Sequence, residues 1–247
     1  MSNGNCIEGC EICGGVGFLR YDVDVGDPNF GQVYSCPNKR LKYLSDAVNI
    51  SFGEAKGLDW NSYHQTEAVK QMRAAYNIVL EQGYGWIYIW GEAGNGKTIM
   101  AKSATVYAAG VLNITSHYVR LSEMINNLRA SFDEEQGQRA YLTRKNYYAK
   151  VKFLVVDEIG RDRQTEFSKQ TLSDVMDARY ILATAKAGIT IWVSNFAPED
   201  ILEPYQVDRI RDGRFQVVNV KGVSVRPAMK YEDDNGDDYI PWWLDRD

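Results

Sequence analysis

No stretch of this 247-residue chain is apolar for long enough to cross a bilayer; runs such as Trp86–Trp90 fall far short of the roughly 18 residues that a helical span requires. Behind Met1 there is neither a basic segment nor an apolar core. No secretion signal or transit peptide is therefore visible, and an intracellular, cytoplasmic protein without a membrane partner is expected. Cysteine is absent after Cys36, and the two histidines, His64 and His117, have no metal-ligand spacing to each other. No internal repeat is found. Acids are missing from residues 139–152, where Arg139, Arg144, Lys145, Lys150 and Lys152 interleave with Tyr141, Tyr147 and Tyr148. The end of the chain is the reverse: residues 231–247 hold seven acids against Arg246, a net of −6 that outweighs the whole chain's −5 and leaves the body close to neutral.

What is present divides the chain into four parts: a cysteine module over 1–45, a connector over 46–63, a main domain over 64–230 and the acidic tail over 231–247. Hydrophobic residues make up 45%, enough for a sizeable core in the main domain. In the first part the turn-rich stretch between Cys13 and Cys36 reads as a small hairpin with little core of its own. In the main domain, strands are expected near Trp86–Trp90, Ser116–Arg120, Phe153–Val156, Gly188–Val193 and Phe215–Val220. Helical patterns stand between them, at His64–Gln82, from the glycine-rich loop to about Ala109, at Leu121–Phe132, Ala140–Lys150 and Glu166–Ala185. Strands separated by helices imply an α/β fold, with a parallel sheet covered on both faces.

Gly91-Glu92-Ala93-Gly94-Asn95-Gly96-Lys97-Thr98 fits the phosphate-loop pattern and lies between an apolar strand and a helix, where that chemistry requires it. Glycines let successive backbone N–H groups and the helix N-terminus face phosphate oxygens. Lys97 is expected to neutralise the β and γ oxygens of ATP, and the Thr98 hydroxyl to enter the Mg²⁺ shell; Ile99 completes the nucleotide-binding segment. Phe153-Leu-Val-Val-Asp-Glu158 ends an apolar strand in two carboxylates. Asp157 is expected to hold Mg²⁺ through water, and Glu158 to orient or deprotonate the attacking water, which favours an ATPase over a small-molecule kinase. Asn195, at the end of the strand from Gly188, is read either as a contact to the γ-phosphate and the lytic water or as a cap for the helix that follows.

The phosphate loop, Leu154-Val-Val-Asp-Glu-Ile-Gly160, Ala178-Arg-Tyr180 and Val193-Ser-Asn195, in that order, resemble the AAA+ ATPases of the DnaC/DnaI helicase-loader group, to which the transposition helper IstB is a close relative. The resemblance implies a P-loop AAA+ domain over most of the chain. It makes Arg209, in Val207-Asp-Arg-Ile-Arg211, the arginine offered to a neighbouring subunit's nucleotide, and Arg226, in Ser224-Val-Arg226, a second sensor of the nucleotide. A guanidinium delivered in trans couples hydrolysis to self-assembly. The alternative is a solvated basic helix face.

Four sulfurs, Cys6, Cys10, Cys13 and Cys36, suit tetrahedral Zn²⁺, and the resemblance to DnaI-like loaders implies such an N-terminal zinc module; free or redox-active thiols are the alternative. Cys36 stands alone where the commoner pattern has a pair, so Cys6 serves as the fourth ligand. The resemblance also implies a single-stranded DNA contact within Leu121–Lys150, where cations could track phosphates and tyrosines could stack on bases. The same tyrosines could instead fill the core beneath outward lysines. The sequence thus points to an ATPase that loads a replicative helicase onto single-stranded DNA. The rivals are a transposition helper ATPase and a zinc-dependent DNA-binding adaptor that uses ATP only as a conformational ligand.

Overall fold

The computed structural model describes residues 6–61, 63, 66–133, 137–161 and 165–222. Arg226, His64 and the acidic tail with Trp242 and Trp243 lie outside the described residues. The cysteine module contains a short antiparallel pair, β1 (Phe18–Leu19) and β2 (Tyr34–Ser35), and leads into helix α1 (Pro37–Val48), whose N-cap is Cys36. Pro37 supplies a φ suited to the first helical position, and Asn49, left-handed at φ 61°, ends the helix.

Of residues 46–63, treated as a connector on sequence, 46–61 and Tyr63 are packed into the body. They hold the end of α1 and α2 (Phe52–Lys56), and Val48, Ile50, Ala55, Leu58, Trp60 and Tyr63 are buried. Trp60 meets Tyr76 edge-on and stacks on Tyr107. The apolar residues of this stretch are too irregularly spaced for a single helical or strand period to reveal them.

Helix α3 (Glu67–Gln82) starts where the Thr66 hydroxyl accepts from the Val69 N–H and stops at Gly83. The core then alternates: β3 (Gly85–Trp90), α4 (Lys97–Gly110), β4 (Ser116–Arg120), α5 (Leu121–Ala130), a single 3₁₀ turn, α6 (Gly137–Lys150), β5 (Phe153–Ile159), α7 (Glu166–Thr184), β6 (Ile189–Ser194), α8 (Pro198–Ile201), α9 (Pro204–Ile210) and β7 (Gln216–Asn219). The five strands form one parallel sheet in the order β4-β5-β6-β3-β7. This is the α/β architecture expected.

Successive strand residues supply opposite cores, because side chains alternate across a sheet. Ile87, Ile89, Phe153, Val155, Ile189 and Ile191 face Met72, Tyr76, Ala101 and Ala104 on one side. Trp86, Tyr88, Leu154, Val156 and Trp192 face Leu128, Tyr148, Leu172, Val175 and Ile210 on the other. Burial on both faces explains why β3 and β5 read as unbroken apolar runs.

Arg179, within the Ala178–Tyr180 motif, is fully buried in α7. Its guanidinium donates to the Thr190 hydroxyl at 2.8 Å and to the carbonyls of Val151 and Ile189, and burial lowers it to about 9. It fastens α7 across the start of β5 and β6. No helix among the described residues is long and apolar enough to cross a membrane.

Candidate active site

Because every strand of the sheet runs the same way, β3, β5, β6 and β7 all end at one edge, the edge at which ligands bind in such folds. The β3–α4 loop lies at that edge, after the strand between β6 and β7. Gly91 is left-handed at φ 145°, and a Cβ there would come 2.3 Å from the Val220 carbonyl oxygen just past β7. Gly96, at φ 79°, is the N-cap of α4. No side chain caps that helix and no acid stands in its first turn, so its positive end is left uncompensated and suits an anion.

Asn95 is buried and donates from Nδ2 to the Val220 carbonyl at 3.1 Å, leaving its Oδ1 without a partner. Lys97 is 5% exposed, and its ammonium reaches back over the loop to the carbonyls of Gly91 and Glu92 at 2.8 and 2.7 Å. Asn195 is exposed and lines, with Gly91, Glu92, Asn95 and Asn219–Gly222, a cleft of about 360 Å³. It does not cap α8, whose N-cap is Ala197.

At the end of β5 the carboxylate of Asp157 is buried and held at both oxygens. The Tyr118 hydroxyl donates to Oδ2 at 2.8 Å, and the Glu158 backbone N–H donates to Oδ1 at 2.7 Å. Burial, followed by the Asp157 charge, pushes the Tyr118 phenol far up, so it remains a donor. The β5–β6 register slips between Val156 and Ile159; within that stretch Glu158 is left-handed at φ 59°, and its carboxylate is ion-paired with Arg161. Backbone strain of this kind costs of order 1–3 kcal/mol and clusters at functional sites.

The phosphate loop and Asn195 therefore share one cleft, with Asp157 and Glu158 on the same sheet edge. Arg209 does not line that cleft: on α9 it is ion-paired with Asp177 of α7 and lies 5.3 and 5.6 Å from the ring centroids of Tyr180 and Tyr205. Tyr118, Arg161 and Val220 were not singled out on sequence. Tyr118 sits in a strand whose aromatic reads as core, and only the β4–β5 register, with Arg120 opposite Asp157, brings it beside the carboxylate.

The sulfurs of Cys6, Cys10, Cys13 and Cys36 all lie within 4.8 Å of one another, and Cys6–Cys36 and Cys10–Cys36 are 3.7 and 3.8 Å apart. Four thiolates around one Zn²⁺ at about 2.3 Å would be separated by about 3.8 Å, so the donor set fits this metal in both chemistry and spacing. Burial raises the Cys10 thiol, but the Cys13 backbone N–H and the Asn38 amide more than reverse this and bring it down to about 6. Burial pushes the Cys6 thiol up to about 12.

In α6, Tyr148 is buried, Tyr141 stacks on Phe132 and Tyr147 meets His117 edge-on. Arg144 donates to Ser131 at 2.8 Å, Lys145 pairs with Asp174 at 2.5 Å and Lys152 donates to the Ala187 carbonyl at 3.1 Å. Tyr148 thus packs into the body while Tyr147 and the Phe132 partner of Tyr141 stay exposed, and three of the five cations make intramolecular contacts.

The profile of the IstB-like ATP binding proteins matches residues 38–233. The chain belongs to this family. No curated protein sequence matches it significantly. Among solved structures, this IstB-like protein is similar to the DnaC helicase loader at 16% identity and a TM-score of 0.54, covering 73% of this chain and 99% of that one. It is similar to DnaI at 17% identity and a TM-score of 0.55, covering 70% and 96%. It also resembles the replication initiator DnaA bound to AMPPCP and single-stranded DNA, at 18% identity and a TM-score of 0.56; there it covers 66% of itself and spans 50% of that chain. These likenesses show that the chain shares its fold with these structures.

The residues present in this IstB-like protein fit ATP. Gly91 lets the loop close against the Val220 backbone, the uncapped end of α4 suits phosphate, and Lys97 supplies a cation. Thr98 and Asp157 offer the oxygen donors that Mg²⁺ requires. The cysteine cluster lies ahead of the family match, and Cys36 immediately precedes the helix with which the match begins.

Proposed function

We propose that the chain is a cytoplasmic, Mg²⁺-dependent ATPase that assembles on single-stranded DNA and loads a replicative helicase. The observation that carries this is the gathering of the phosphate loop, the Asp157–Glu158 strand end and Asn195 at one sheet edge. Similarity to a protein named as a helicase loader supports the loading role.

In this reading the N–H groups of residues 91–98 and the Lys97 ammonium hold the phosphates. Thr98 and Asp157 hold Mg²⁺, which when bound neutralises charge on the transferring phosphoryl group. Glu158, once released from Arg161, takes a proton from the attacking water, and Asn195 orients that water and the γ-phosphate. Arg209 serves the nucleotide of a neighbouring subunit after its contact with Asp177 gives way, and Arg226 completes the site. Cys6, Cys10, Cys13 and Cys36 hold Zn²⁺ and shape the module that grips the helicase. Exposed Val16, Phe18, Tyr21, Val25, Phe30 and Val33 support this, because apolar residues gathered on a small module suit partner docking.

The family match favours a second reading, a transposition helper ATPase. Light scattering of the chain with ATP and a candidate replicative helicase separates the two. The proposal expects a joint complex, with Glu158→Gln binding ATP but turning over at least about 100-fold more slowly, as for loss of a general base. Association with a transposase and none with helicase would overturn the loading role. Unchanged turnover in Glu158→Gln would overturn the assigned chemistry.

A further inference from the structure

We infer that Tyr118 is the positioning residue of the Mg²⁺ site, and that the helix leaving the cysteine module is what holds Tyr118 in place. This rests on the reading of Asp157 as the Mg²⁺ carboxylate. A carboxylate that must present chosen lone pairs to a metal shell needs its plane fixed, and partners of this kind commonly set metal affinity. Asp157 has two: the Tyr118 hydroxyl at Oδ2 and the Glu158 N–H at Oδ1. The second comes from the next residue in the chain. Among the described residues, Tyr118 is therefore the side-chain donor that sets the carboxylate from another strand, and the phenol is buried with it.

Tyr118 is itself secured from three directions. In the sheet, its strand is in register with β5, Tyr118 opposite Val155. Above the ring, the Lys102 ammonium of α4 lies 5.0 Å from the centroid and is ion-paired with Glu54 of α2. Along the backbone, Asn49, the residue that closes α1, donates from Nδ2 to the Tyr118 carbonyl at 2.9 Å and to Glu123 at 3.0 Å. Helix α1 is capped at its start by Cys36, one of the four clustered thiols, and its twelve residues span about 18 Å. A single rigid element thus runs from the cysteine cluster to the residue that orients the Mg²⁺ carboxylate.

The test is a Mg²⁺ titration of the binding of a fluorescent ATP analogue to the full chain, alongside the same binding in EDTA and a thermal melt. Tyr118→Phe keeps the ring and removes only the hydroxyl. It should raise the half-saturating Mg²⁺ concentration by roughly 10-fold, the lower end for loss of such a partner, and leave binding in EDTA unchanged. Asn49→Gly accepts the left-handed backbone but removes both amide hydrogen bonds, and should give a smaller shift in the same direction. Asp157→Asn serves as the reference. If Asp157→Asn abolishes the Mg²⁺ dependence while Tyr118→Phe leaves it at the wild-type value, whatever its melting temperature, the inference about Tyr118 is overturned and the reading of Asp157 stands. If Tyr118→Phe shifts the titration and Asn49→Gly does not, the part assigned to α1 is overturned. A wild-type protein whose binding ignores Mg²⁺ would overturn both the inference and the reading beneath it.

Discussion

His117 stands in β4 beside the rings of Tyr147 and Tyr148, and its Nδ1 is 3.2 Å from the Tyr147 hydroxyl. Burial lowers its pKa to about 4, against a weaker opposing pull from Glu123. The unfolded chain binds a proton at this residue near pH 6.5, the folded chain only near pH 4, so between those values the unfolded state holds more protons and stability rises with pH. The contribution is present above about pH 6.5 and is lost as the pH falls toward 4, up to roughly 3 kcal/mol in all. Denaturant melts across this window should therefore show a steeper loss for the wild type than for His117→Phe; parallel curves would mean that His117 is not held neutral. Glu158 was legible in sequence as an acid ending a strand. Its left-handed backbone and its pairing with Arg161 were not, because both depend on the register slip against β6.

Most helices and strands were legible because their periods differ: 3.6 in α3, where Val69, Met72, Tyr76 and Val79 form one buried stripe, and a continuous apolar run in β3 and β5, covered on both faces. The segment from Asn49 to Tyr63 was not, since Trp60 and its neighbours are buried by contacts with α3 and α4 that no local pattern announces. Nor could pattern choose between stacking and packing for the tyrosines of α6; Tyr148 is buried, whereas Tyr147 is exposed. The cysteine module has little apolar interior beyond its sulfurs, so its order should depend on a bound metal. Elemental analysis should find one Zn²⁺ per chain, and Cys36→Ser should lose it while retaining ATP binding at the distant loop. Full zinc content in Cys36→Ser would contradict the four-thiolate site.

For the whole molecule, one fact governs the rest: parallel strands deliver their C-terminal ends to a common edge, so residues as far apart as Asn95 and Val220 meet there. The phosphate loop announced itself by spacing, but the closure of the loop against Val220 required the fold. Arg209 illustrates the opposite limit. Its position in sequence suggested a role toward a neighbour, whereas within one chain it is paired with Asp177 and lies against Tyr180 and Tyr205, so any such role belongs to the assembly. The central claim, ATP held by the β3–α4 loop, is tested most directly by equilibrium binding of a fluorescent ATP analogue with Mg²⁺ to the wild type and to Lys97→Ala. The account predicts saturable binding by the wild type and binding at least about 100-fold weaker in Lys97→Ala, as for loss of a charge-assisted contact worth about 3 kcal/mol. Equal affinity in the two proteins, or no binding by the wild type, would contradict it.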